Sequence, residues 1–241
     1  MAKTVLVTGG TLRLGRAIAD HLRRVGWRVI TTSHRADAGA DVVADFADPM
    51  GPVRAYAATL RLLGGQPPDA LVNNAALFTG DDATLNAVNF EAPKKLTMLM
   101  AGRETGVGSV VNILDSRILR WGQAPLDRRG SGSPLPVPLW GQTPYEKAKL
   151  QLLSEMRRQA AMFAETLRVN AVAPGPVLAP TGVHEKAGET LLGRPTPEDV
   201  AEAVAFLLTA KSTTGAVLPV DGGQTLLSML SPLDEMAGNM A

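Results

Sequence analysis

"TVLVTGGTLRLG", residues 4–15, opens with a short aliphatic run and passes through a glycine turn into helical spacing. The run lacks a polar alternation, as expected of a parallel strand covered on both faces. Gly9 and Gly15 permit a tight turn and a close strand–helix approach, with a phosphate near the helix N-terminus. A bare glycine pattern fits an empty turn equally well. Its position between a first strand and a first helix is what points to a nucleotide.

The same rhythm repeats along the chain. Strands are expected at residues 4–8, 28–32, 41–45, 69–73, 109–114, 168–173 and 217–220. Helices are expected at 14–25, 50–63, 85–103, 144–165 and 197–208. Thr143-Pro144-Tyr145-Glu146 and Thr196-Pro197-Glu198-Asp199 both read as helix starts, each with a capping Thr, a Pro and an acid three residues after the cap. The alternation predicts an α/β fold: one Rossmann-type, doubly wound parallel sheet of about seven strands in a single domain over 1–241.

One stretch breaks the rhythm. Residues 116–142, including "RRGSGSPLPVPLWG", have no periodicity and read either as a lid or as a solvated insertion. As a lid, Arg117, Arg120, Arg128 and Arg129 with Trp121 and Trp140 would cover an anionic or planar ligand.

Bulk properties remove several function classes. A net charge of +1 gives no electrostatic case for nucleic acid or an anionic membrane. With no cysteine, disulfides and thiolate catalysis are excluded, and three histidines (His21, His34, His184) offer little for a metal. The strand pattern starts after three residues, which leaves no room for a signal peptide, and no apolar run nears the about 20 residues of a membrane span. A cytoplasmic location is expected.

The second strand runs into "TTSHRAD". Ser33, His34 and Arg35 stand where an NAD-selective protein places an acid for the ribose 2′-hydroxyl. With Arg13 in the glycine turn, these residues favour the 2′-phosphate of NADPH. Asp37 is read as too far along the loop to interfere. Tyr145 and Lys149, four apart, share a helix face. A phenol with a reference pKa of about 10 needs such a cation to exchange protons near neutrality.

Together these residues resemble the short-chain dehydrogenase/reductase family over nearly the whole chain. Asn73-Asn74-Ala75, Asn89, "RVNAVAPGPV" (168–177), Thr214-Gly215 and Asp221-Gly222-Gly223 extend the match. The resemblance implies a cofactor site of Gly9, Thr11, Arg13 and Leu14 in the turn, followed by Ser33, His34 and Arg35. Asp45, with Phe46 next to it, is implied by the adenine, Asn73 and Ala75 by the adenosine ribose, and Pro174, Gly175 and Val177 by the nicotinamide. The resemblance further implies that Tyr145 and Lys149 serve both cofactor and catalysis, and that Asn89 holds a water in a proton relay through Lys149. The family commonly forms tetramers, and Leu150, Leu152, Leu153 and Met156 fit either an interface or the core.

Two departures narrow the branch. Arg13 stands where the family has a third glycine, and Asp115 in "NILDSR" where it has a serine, with Ser116 the alternative if the strand ends one residue later. With His34-Arg35 and Phe78, these resemble pteridine reductases and the related dihydromonapterin reductases. That branch implies a pterin bound by Arg13, Phe78, Asp115 and Tyr145, its ring C=N reduced to the tetrahydro form. Asp115 would either pass a proton or hold the 2-amino pyrimidine edge. The competing expectations are a short-chain reductase of ketones or 3-oxoacyl compounds and a non-catalytic NADPH sensor.

Overall fold

The structure is a computed structural model that describes residues 2–104, 106–120, 143–177 and 190–229. β1 (Thr4–Val7) lies between β2 (Arg28–Ser33) and β4 (Ala70–Asn73). With β3 (Val42–Val43), β5 (Gly108–Ile113), β6 (Leu167–Pro174) and β7 (Val217–Val220) they form one parallel sheet of seven strands, ordered β3-β2-β1-β4-β5-β6-β7. The order reverses direction at β1, and the crevice beyond the carboxyl ends of β1 and β4 is where such sheets bind ligands.

The absence of alternation in the strand sequences has a direct cause. Val5 and Val7 pack with α1 (Arg13–Arg24) and α6 (Pro197–Thr209) on one face. Leu6, between them, packs on the other with α2 (Gly51–Leu62), α4 (Ala92–Ala101) and α5 (Pro144–Met162). Val5, Leu6 and Val7 therefore each need an apolar side chain, each worth about 1.5–3 kcal/mol when buried, while Thr4 at the start of the strand bonds Asp69. Pro219 sits in β7, an edge strand, where a missing N–H is tolerated.

Several boundaries move. The strand expected at 41–45 is Val42–Val43 alone, and α5 stops at Met162 rather than 165. The single helix expected at 85–103 is instead α3 (Asp82–Asn86), a π turn (Ala87–Glu91) and α4. Asp81 caps α3 by accepting from Thr84 N at 2.8 Å, a start that the sequence reading missed. Pro93 explains the π turn: it has no N–H for the Asn89 carbonyl four residues back, and the helix widens there.

The two Thr caps differ. Thr196 and Asp199 make the full reciprocal box. Thr143 Oγ1 accepts from Glu146 N at 3.2 Å, while the Glu146 carboxylate turns to Arg117 at 4.0 Å. Leu152 and Met156 are buried in the core, and Leu150 and Leu153 pack against it. Among the described residues, no helix is long and apolar enough to cross a membrane.

Gly15 sets how closely α1 meets β1. A Cβ there would overlap the Gly9 carbonyl oxygen, which is backbone and cannot yield. Gly15→Ala is expected to cost about 3 kcal/mol, read as a lowered urea midpoint.

Candidate active site

The glycine turn lies at the carboxyl end of β1. Gly9 has φ +61, and Gly10 N–H donates to Thr32 O at 3.1 Å. Thr8 Oγ1 accepts from Asn74 N and Ala75 N at 2.9 and 3.0 Å, and Asn74 Nδ2 donates to the Thr8 and Gly9 carbonyls. These bonds fix the turn to the loop after β4. Thr8 and Asn74 were not singled out by the sequence reading as holding the turn in place.

Arg13 adopts φ +48, a left-handed conformation that a non-glycine residue rarely takes. The usual glycine at this position is thus accounted for, and the arginine holds the conformation against its own preference. α1 differs from α5 and α6: its N-cap is Leu12, with no side-chain bond, and its first turn carries no acid. Its N-cap therefore offers the leading N–H groups no side-chain acceptor, which suits the phosphates of a dinucleotide. Thr11 and Leu14 are half-buried beside this end.

At the end of β2, Ser33 is buried and accepts from Arg35 N at 3.1 Å, and His34 is exposed. Asp37 is not too far along the loop. It takes Arg35 in a two-point pair, Nε–Oδ1 3.0 Å and Nη2–Oδ2 2.7 Å. An anion approaching Arg35 therefore meets the Asp37 charge beside it and is left with the guanidinium hydrogens that the pair does not use.

The Asn73 side chain turns into the protein, donating to Asn112 Oδ1 at 2.9 Å and Thr97 Oγ1 at 3.3 Å. Phe46 is in the core, and exposed Asp45 accepts from Ala47 N at 2.9 Å. Pro174 ends β6, Gly175 N donates to Val220 O at 2.9 Å, and Val177 is buried. Asn89 donates through both Nδ2 hydrogens, to Leu77 O at 2.8 Å and Leu85 O at 3.0 Å. Its side chain thereby anchors the loop that carries Phe78. Its carbonyl, deprived of an α-helical donor by Pro93, is the group suited to a water.

β5 ends at Ile113, not at the acid, and Leu114 and Asp115 lead into a 3-10 turn, Ser116–Arg120. That turn is the only part of the 116–142 stretch among the described residues; Trp121, Arg128, Arg129 and Trp140 lie outside them. Asp115 rather than Ser116 meets the tyrosine: Tyr145 Oη donates to Asp115 Oδ2 at 3.2 Å. Arg117 holds the same carboxylate through N, Nε and Nη2 at 2.9, 3.0 and 2.9 Å. Its Cζ lies 5.5 Å from the Tyr145 ring centre.

Lys149, fully buried, donates to Ile113 O at 2.8 Å, and its Nζ is 5.7 Å from the centre of the Tyr145 ring. Burial pulls Lys149 down to about 8, with the Asp115 charge acting the other way. Burial, reinforced by the Asp115 carboxylate and opposed by Arg117, pushes Tyr145 well above its ordinary value. The Phe78 ring is 67% exposed and lies 4.9 Å from the Tyr145 ring at 33°, an open aromatic wall beside the hydroxyl. The site thus combines a neutral phenol, a buried lysine and an acceptor-only carboxylate.

Comparison with known proteins agrees with the fold. Residues 136–225 match a family model described as enoyl-(acyl carrier protein) reductase. The chain is 30% identical to Protein FixR of Bradyrhizobium diazoefficiens, over 93% of this chain and 87% of that one. It is likewise 30% identical to granaticin polyketide synthase putative ketoacyl reductase 2 of Streptomyces violaceoruber, over 94% and 97%. Among solved structures, a blue fluorescent protein from a metagenomic library in complex with NADPH superposes with a TM-score of 0.76. It is 28% identical and covers 92% of this chain and 97% of its own.

Proposed function

The chain belongs to the short-chain dehydrogenase/reductase family of nicotinamide-dependent oxidoreductases, and from that premise we propose that it is an NADPH-dependent reductase of 7,8-dihydropterins. The observation that carries this reading is Asp115 against Tyr145 Oη, where a ketone reductase needs a neutral hydroxyl donor. A carboxylate held by an arginine offers lone pairs and no proton. It would repel a carbonyl oxygen and accept from the N–H groups of an amino-pyrimidine edge. Phe78 supplies a face for a flat heterocycle, and Arg13, exposed at the turn, a polar contact for its rim.

When bound, the nicotinamide supplies a hydride to the carbon of the ring C=N. The adjacent nitrogen takes a proton, and the products are tetrahydropterin and oxidised cofactor. Tyr145 keeps its proton at Oη at neutral pH and releases it toward the nitrogen as charge develops there. Lys149, anchored on Ile113 O, holds a positive charge under the tyrosine. The Asn89 carbonyl is suited to hold the water that returns a proton through Lys149. Gly9, the uncapped start of α1, Ser33, His34 and Arg35 would hold the phosphates.

A second reading, reduction of a ketone or 3-oxoacyl compound, is favoured by the ketoacyl reductase among the relatives and by Tyr145 and Lys149. NADPH oxidation measured in parallel with 7,8-dihydrobiopterin, dihydrofolate and a simple ketone separates the two. Turnover of the dihydropterin is expected; turnover of the ketone alone would overturn the proposal. The Asp37 carboxylate bears on the cofactor. An exposed pair is worth about 0–1 kcal/mol, so Asp37→Asn is expected to tighten NADPH about two- to fivefold, read by fluorescence titration.

A further inference from the structure

Neither the glycine turn nor the Tyr145–Lys149 pair accounts for Arg117. Asp115 Oδ1 caps the turn that follows it by accepting Arg117 N, and that turn folds the guanidinium back over the same carboxylate. The contact is two parallel N–H···O bonds, Nε to Oδ1 and Nη2 to Oδ2, the geometry that arginine alone among side chains provides. Oδ1 thus faces Arg117, and Oδ2 is shared between Nη2 and Tyr145 Oη. The guanidinium also faces the Tyr145 ring, with Nη1 4.0 Å from Glu146 Oε1.

We propose that Arg117 is a positioning residue of the reaction: it fixes the rotation of the Asp115 carboxylate so that Oδ2 meets the Tyr145 hydroxyl and the substrate, and it offsets the negative charge there. Hydride arrival makes the substrate more negative beside Asp115. A carboxylate left alone there would oppose that change, and one paired with a guanidinium does so far less. Arg117 is 43% exposed and Asp115 15%, so the clamp lies at the mouth of the site within reach of small solutes. The inference rests on Asp115 lying at the reacting centre, part of the reading above, and not on the substrate being a pterin.

The test uses the full chain and whichever of 7,8-dihydrobiopterin or ketone it turns over, so failure of the pterin reading leaves this experiment intact. Arg117→Ala is expected to lower kcat by about 10- to 100-fold, with the NADPH dissociation constant within twofold of wild type. Methylguanidinium is expected to restore at least a tenth of the lost rate, and methylammonium at equal ionic strength to restore none. Arg117→Lys, which keeps the charge and loses the two-point contact, is expected to fall between the two. A folded Arg117→Ala protein with kcat within twofold of wild type would overturn the proposal, as would equal rescue by both cations. If Arg117→Ala does not fold, Arg117→Lys decides, and wild-type kcat in that variant overturns it.

Discussion

Asp115→Ser is expected to lower kcat/KM for 7,8-dihydrobiopterin by about 10²- to 10³-fold while raising turnover of a small ketone from a negligible level. The substitution exchanges an acceptor that Arg117 holds for a neutral hydroxyl that donates. A ketone then gains the donor it needs, and an amino-pyrimidine edge loses its acceptor. The fold should tolerate the change, because Arg117 is half-exposed and can return to water. Steady-state kinetics on both substrates give the result as a reversal of preference. A Ser variant that keeps the wild-type preference would show that Asp115 does not face the reacting ring.

Lys149→Met is expected to lose about 10³-fold in kcat and yet to be more stable than wild type near neutrality. Lys149 is held in the protein at about 8, against an ordinary 10.5, because burial disfavours its charge. The folded state binds fewer protons than the unfolded chain between those values, so stability rises with pH across that window. Below about 8 the protein bears the cost of a buried ammonium, about 3 kcal/mol at 1.36 kcal/mol per pH unit. Removing it frees that amount, less about 1 kcal/mol for the Ile113 carbonyl left without its donor. Urea unfolding at pH 7 and pH 10 checks both signs: the Met variant gains about 2 kcal/mol at pH 7 and little at pH 10. In wild type, activity should fall as pH rises through about 8, where Lys149 gives up its charge.

The layered sheet was legible because parallel strands buried on both faces leave continuous aliphatic runs, and helix caps such as Thr196-Pro197-Glu198-Asp199 are local chemistry. The broken helix at 82–101 was not. Pro93 falls inside the helix expected at 85–103, where its missing N–H is compatible with a stop, a kink or a widening, and the structure shows the widening, with the Asn89 side chain bonded to Leu77. Tyr145, Lys149 and Asp115 were visible as spacing and position. Their partnership with Arg117 depends on a turn folding back on its own cap, a tertiary outcome that left Arg117 as one more arginine in a polar stretch. Asp37 was misjudged for the same reason: two residues of separation looked too far, and the turn after β2 brings the carboxylate onto Arg35.

The proposed function requires the Asp115 carboxylate to engage a pterin. A crystal structure of the protein with NADP⁺ and 7,8-dihydrobiopterin tests it most directly, through the distance from Asp115 Oδ2 to the nearest nitrogen of the pterin. A nitrogen within hydrogen-bond reach, about 2.7–3.1 Å, with the ring stacked against Phe78, is the predicted result. A pterin bound with none of its nitrogens near the Asp115 carboxylate would contradict it.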